Sequence, residues 1–212
     1  MSDLDKLVGY FEKFPGVGVR QAKRFAFHIL TLDNVKIDEL TKLMSSLKNS
    51  VHECSECHRF FSNYNSSSTV RVCNLCVDAE RDNKKLLVVT SDADVLAIER
   101  GGVYEGRYFV LGGTVPLLNT KNKEENSRLR GGALKSLVAK LLGQTNENLE
   151  VILGFAINPD GENTGRYVES LLKEWIEQDK VIVSHLARGL STGSELEYAD
   201  AETIKSALRN RK

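Results

Sequence analysis

Leu86-Leu87-Val88-Val89-Thr90-Ser91-Asp92-Ala93-Asp94-Val95-Leu96-Ala97-Ile98-Glu99 is the stretch that decides the fold. Its first four residues form a short apolar run with two β-branched members, which reads as a strand buried on both faces. A polar break follows, and Val95 to Arg100 then reads as a helix. The alternation continues downstream, with strands at Tyr108-Phe109-Val110-Leu111, Val151-Ile152-Leu153 and Val181-Ile182-Val183, and helical patterns from Leu129 to Leu142 and from Tyr167 to Ile176. Strands alternating with helices predict a mostly parallel sheet covered on both faces. The polar stretch from Asn119 to Arg130 reads as a loop, and Lys205 to Lys212 is a basic tail.

Upstream of the sheet the pattern is helical. Leu4, Leu7, Val8 and Phe11 recur at helical spacing, Phe14-Pro15-Gly16-Val17-Gly18 interrupts them as a tight turn, and Ala22, Phe25, Ala26, Ile29 and Leu30 resume the period. This is a helix, a glycine hairpin and a second helix that opens with Arg20, Lys23 and Arg24. Such a hairpin is either a plain turn between packed helices or a phosphate grip, in which backbone N–H groups and the helix dipole receive the anion. The three cations favour the grip and mark Gly16, Gly18, Arg20, Lys23 and Arg24 as candidate DNA contacts. A third helix is expected from Ile37 to Leu47, with Ile37, Leu40, Leu43, Met44 and Leu47 on one face.

Between these parts lie Cys54-x-x-Cys57 and Cys73-x-x-Cys76, all four cysteines of the chain, joined by a serine- and asparagine-rich connection too polar to pack alone. Two such pairs are read either as a disulfide framework or as a four-thiolate zinc site. The acidic start MSDLDKLVGYFEKF does not resemble an export signal, so a reducing cytoplasm is expected and one structural Zn²⁺ per chain is favoured. His52 and His58 flank the first pair and are read either as replacement ligands or, more ordinarily, as exposed loop histidines. Because metal binding supplies the order of the finger, serine at Cys73 is expected to unfold it locally and spare the sheet.

Two acidic groups sit where strands end: Asp92 and Asp94, and Asp160 and Glu162 within Asn158-Pro159-Asp160-Gly161-Glu162. They either cap the following helices or meet at the carboxyl edge of the sheet, where Asp94, Asp160 and Glu162 form a candidate Mg²⁺ or partner site. Capping is the commoner role of acids at such junctions.

The chain has 212 residues, enough for a sizeable core in one or two domains, and its 29 basic and 29 acidic residues leave no overall field to attract nucleic acid. Any nucleic-acid site is therefore a local patch. A composition 41% hydrophobic and 27% charged is that of a globular protein. No apolar run approaches the roughly 20 residues that span a bilayer.

Taken in order, F-P-G-V-G-V-R-Q-A-K-R-F-A-F-H-I-L (14–30), the paired C-x-x-C motifs, V-V-T-S-D-A-D-V-L-A-I-E (88–99), G-R-Y-F-V-L-G-G (106–113) and A-R-G-L-S-T-G-S-E-L-E-Y-A-D (187–200) resemble the RecR family of bacterial recombination mediators, over nearly the whole chain. The resemblance implies a helix-hairpin-helix domain at 1–51, a zinc finger at 52–78, a Toprim-like domain at 79–184 and a C-terminal region at 185–212. It also implies a ring-like homotetramer that clamps DNA and works with RecO, and in some lineages RecF, to help load RecA on single-stranded DNA. By position, Gly16, Gly18, Arg20 and Arg24 match the family's hairpin, the four cysteines its zinc ligands, and Arg188-Gly189-Leu190 with Leu196-Glu197 its C-terminal stretch. Where the family usually has a glutamate after V-V this chain has Thr90, and its Asn158-Pro159 loop is shorter. Loss of that carboxylate removes the general acid or base of Toprim enzymes, so no catalysis is expected, against the alternative of a metal-dependent enzyme acting on nucleic acid.

Overall fold

A computed structural model describes residues 1–62, 71–117, 129–145 and 147–186. The polar connection at 63–70, most of the loop at 119–130 and the matched C-terminal stretch with its basic tail lie outside the described residues. Those described fall into two compact units, Met1–His52 with Ser62, and Glu53–Phe61 with the chain from residue 71 onward.

In the first unit, α1 (Asp3–Phe11) starts at a capping box in which Ser2 and Asp5 satisfy each other's backbone N–H groups. Helix α2 (Val19–Leu30) packs on α1, with Ala22 and Ala26 fully buried and the Phe11 ring edge-on to Phe25 at 5.8 Å. Helix α3 (Asn34–Ser50) starts at Asp33, whose carboxylate accepts from Lys36 N, and is longer than its apolar period indicates. Its apolar face is not covered within the unit: Leu40, Leu43, Met44 and Leu47 are all exposed, and α3 buries no residue.

After α3 the chain forms two short paired strands, β1 (Val51–Glu53) and β2 (Phe60–Ser62), and the one-turn helix α4 (Asn74–Val77). Then come β3 (Asp82–Val89), α5 (Asp92–Gly101), β4 (Gly106–Val110), α6 (Gly131–Gln144), β5 (Leu149–Gly154), α7 (Pro159–Glu177) and β6 (Val181–His185). The four longer strands make a parallel sheet in the order β4-β3-β5-β6, with Val89 beside both Val110 and Gly154.

The continuous run Leu86 to Val89 is apolar throughout because each face of the sheet is covered by something different. Leu86 and Val88 join Phe109, Val151 and Leu153 under α6 and α7, where Leu134, Val138, Val168 and Leu172 complete the core. Leu87 and Val89 point the other way, with Tyr108 and Val110, onto Val95 of α5 and the cysteines.

Helix α7 starts at Pro159, eight residues before the expected Tyr167. Asn158 is its N-cap, accepting from Gly161 N at 2.8 Å, and Pro159 sits where its missing N–H costs nothing. Gly161 makes the sequence look like a loop, yet it is required by close packing: a Cβ there would overlap the Ala156 carbonyl oxygen.

Candidate functional site

The cysteine centre is built from two turns. Cys54 and Cys57 lie on the turn between β1 and β2, closed by His58 N donating to Cys54 O at 3.0 Å and Cys54 N donating to Arg59 O at 2.9 Å. His58 takes a left-handed φ of 60° to end that turn. Cys73 is the N-cap of α4 and Cys76 lies within it, with Ser55 N donating to Arg71 O to join the two turns.

All four thiols are free, and their sulfurs lie within 4.8 Å of one another, Cys57 Sγ and Cys73 Sγ at 3.5 Å. A tetrahedral ion with metal–sulfur bonds of about 2.3 Å needs sulfurs about 3.8 Å apart, so the spacing fits. Cys73 N also donates to Cys54 Sγ at 3.3 Å, the kind of contact a thiolate accepts. Hydrogen bonds to Cys54, then Cys73 and Cys76, together with burial, push the Cys57 thiol far up, while its bonds to the same neighbours pull Cys54 down. Four sulfurs so close cannot all be anionic without a cation between them.

Among the described residues, these cysteines are the one group of three or more ligands close enough for a metal. Neither His52 nor His58 belongs to it. His58 Nδ1 instead bonds Glu53 Oε1 at 2.6 Å, and the same oxygen receives Arg130 Nε at 3.1 Å.

The centre is not a separate finger. Cys54, Cys57, Cys73 and Leu75 share a core with Leu87, Val89, Val95, Tyr108 and Val110. Val110 N donates to Cys57 O at 2.8 Å, Phe60 N to Asp92 Oδ1 at 2.6 Å, and Arg107 Nη1 to the carbonyls of Leu75 and Cys76 at 3.1 and 2.8 Å. The expectation that the sheet is independent of the finger is thereby corrected. The apolar strands build only one of the two cores without it.

In the first unit the hairpin is closed by Val17 N donating to Phe14 O at 3.0 Å, with Gly16 at φ +74°, a conformation that favours glycine. Gly18 is the N-cap of α2 and offers no side chain to the first N–H groups of that helix. Its first turn holds no acid. Arg20, Lys23 and Arg24 are exposed, and Lys23 lies near enough to Asp5 of α1 to help lower that carboxyl. Spaced by three and four residues, they share one side of α2 next to that open N-terminus.

The acids of the sheet edge are occupied with structure. Asp94 Oδ2 accepts from Thr90 Oγ1 at 2.7 Å, Ser91 N at 2.8 Å and Ser91 Oγ at 3.0 Å, which makes it the reciprocal partner in the capping box of α5. Asp160 Oδ1 accepts from Leu117 N at 2.9 Å, and Thr164 Oγ1 accepts from Val115 N at 2.8 Å, so the start of α7 organises the chain after β4. Glu162 lines a cleft of about 330 Å³ with Arg166, Glu169 and His185. The structure does not bring Asp94, Asp160 and Glu162 into one ligand group.

Sequence reasoning missed Arg107 and Arg130. Both look like surface cations in the sequence, and both are held by carbonyls or carboxylates far away in the chain, a pairing that no local pattern encodes.

Comparison with known proteins agrees with this architecture. The family model for the RecR helix-hairpin-helix matches residues 4–48, that for the Toprim domain residues 84–187, and that for the RecR C-terminal region residues 189–212. The chain is 32% identical over 206 residues to the Recombination protein RecR of Lactobacillus helveticus, covering 97% of this chain and 94% of that protein. It is 34% identical to that of Streptococcus thermophilus with the same coverage, and 35% identical to that of a Ruegeria species, covering all of this chain and 96% of the relative. A hairpin with an open helix start, a four-cysteine centre and a Toprim sheet, matched from end to end, place this chain in the RecR family of recombination proteins.

Proposed function

We propose that this chain is a non-enzymatic DNA-binding mediator of recombinational repair, which grips phosphates with its hairpin and acts as a ring-like homotetramer. The observation that carries the reading is the start of α2: uncapped N–H groups behind Gly16 and Gly18, beside Arg20, Lys23 and Arg24. Backbone N–H groups and a helix dipole stabilise an anion there without reading sequence. One hairpin neutralises roughly two to four phosphates and binds on the order of 10⁻⁴ to 10⁻⁶ M at physiological salt. A ring turns several weak grips into one multivalent grip, which is how a chain of zero net charge holds DNA. In this reading RecO, and in some lineages RecF, are its partners, and the complex helps RecA onto single-stranded DNA.

Cys54, Cys57, Cys73 and Cys76 hold one Zn²⁺ per chain. Four thiolates leave no open position, so the ion fixes the two turns and does no chemistry. Thr90 supports the non-enzymatic reading over a Toprim enzyme, since its hydroxyl carries no acid or base at neutral pH and is bonded to Asp94. Asp94, Asp160 and Glu162 then serve as caps, loop anchors or contacts for a basic partner surface.

A salt titration of DNA binding tests the hairpin. The double variant Arg20→Ala, Arg24→Ala is expected to weaken binding to all sequences alike and to flatten the dependence of log K on log salt by about one to two. Parent-like binding with unchanged oligomer mass refutes the hairpin as the DNA site.

A further inference from the structure

The four cysteines differ in access. Cys54, Cys57 and Cys73 are fully buried, whereas Cys76 is only partly so. Cys76 lines a cleft of about 410 Å³ that lies wholly within the second unit, with Glu56, Asn83, Arg107, Tyr108 and Lys140 among its walls. Two of those walls are cations. Arg107 is fixed there by Asn83 Oδ1 at 2.7 Å and by the Cys76 carbonyl at 2.8 Å, and Lys140 by Glu56 Oε1 at 2.6 Å. Cations fixed in the walls stabilise an anion that leaves the sulfur, and of four cysteines held at one centre the accessible one is the one a solute reaches first.

We propose that Cys76 is the reactive thiol of the centre: a small hydroperoxide enters by this cleft, oxidises Cys76 and so opens the metal site. In the first step the Cys76 sulfur attacks one peroxide oxygen. A sulfur–oxygen bond forms, the oxygen–oxygen bond breaks, sulfur loses two electrons, and the leaving hydroxide or alkoxide takes a proton to become water or alcohol. In the second step a neighbouring cysteine sulfur, none of the four lying more than 4.8 Å from another, attacks the Cys76 sulfenic acid. A disulfide forms, the sulfur–oxygen bond breaks and hydroxide leaves as water. The centre is left with two thiolates in place of four, too few to retain the ion, and a thiol reductant restores the set. This rests on the zinc reading above, and the test separates the two.

The full chain, analysed for metal as purified, is treated with one equivalent of hydrogen peroxide in the presence of dimedone, which traps sulfenic acids, and the labelled peptides are weighed. Cys76 is expected to carry at least ten times the label of any other cysteine. With dimedone omitted, one metal ion is expected to be released, to a chromogenic chelator, for each disulfide formed. Label spread evenly, or led by Cys54, Cys57 or Cys73, overturns the proposal, as does oxidation of Cys76 without release of metal. Lys140→Glu, a surface change expected to leave metal content intact, should slow Cys76 oxidation at least threefold, and an unchanged rate overturns the cleft as the route. Protein that carries no metal as purified refutes the zinc reading instead. The access argument is then decided on the reduced chain with N-ethylmaleimide: alkylation of Cys76 first supports it, and any other order overturns it.

Discussion

Serine at Cys73 removes one of the four proposed metal ligands, and the structure fixes how far the damage spreads. Cys73 is the N-cap of α4, and once the proposed metal leaves, the two turns are held by hydrogen bonds alone, such as Cys73 N to Cys54 Sγ and Ser55 N to Arg71 O. Those turns cover Leu87, Val89, Val95, Tyr108 and Val110, each no more than 2% exposed. A fully buried side chain of this size contributes roughly 1.5–3 kcal/mol, so uncovering five by about half costs on the order of 5 kcal/mol. Set against a domain stability of about 5–15 kcal/mol, that is a large fraction. For a unit of this size it amounts to a fall in melting temperature of about 10–20 °C. The single tryptophan, Trp175 of α7, packs against the core on the opposite face of the sheet. Its emission therefore reports on the sheet and not on the turns. Thermal melts followed at Trp175, for the parent with and without a strong chelator and for Cys73→Ser, are expected to show the large fall in both perturbed samples. A shift below about 2 °C, with metal demonstrably absent, would falsify the shared-core argument and restore an independent finger.

Purified protein given Mg²⁺ or Mn²⁺ is expected neither to cut nor to religate DNA, and nuclease activity that copurifies with the chain and is lost on Asp160→Asn refutes this. Asp94→Ala removes the acceptor for three donors at the start of α5 and should destabilise the second unit by about 1–2 kcal/mol in urea unfolding, with no change in metal content. Equal stability would mean that Asp94 is not a cap in solution. Gly161→Ala forces the start of α7 away from the Ala156 carbonyl and should cost about 1–3 kcal/mol, measured the same way; a neutral result would place the helix start elsewhere.

The sheet was legible because Leu86 to Val89, Val151 to Leu153 and Val181 to Val183 are apolar over too short a span for a helix, with turn residues on either side. The four cysteines were legible because their spacing has few other physical meanings. The start of α7 was not, since Asn158-Pro159-Asp160-Gly161 is equally a turn and an N-cap with proline in the first turn, and only the approach of Gly161 to Ala156 decides between them. The shared core was hidden for a different reason. It depends on contacts such as Cys57 to Val110 and Arg107 to Cys76, each more than thirty residues apart in the chain, to which periodicity is blind. The stripe on α3 was legible as one apolar face but its exposure was not, because a helical period reports which face is greasy and not what covers it.

The bond from Val110 N to Cys57 O has a bearing on how the protein behaves when it is made. Strand β4 is a margin of the four-stranded sheet, and Val110, whose neighbour Leu111 donates inward to Val89, turns its own N–H outward. An outward donor on a marginal strand is an invitation to another chain, and here the first cysteine turn takes that place. If the centre holds the proposed zinc, a polypeptide synthesised when the metal is scarce leaves the donor open beside uncovered Tyr108 and Val110, and metal supply is then expected to govern aggregation of the newly made protein as well as stability of the mature one.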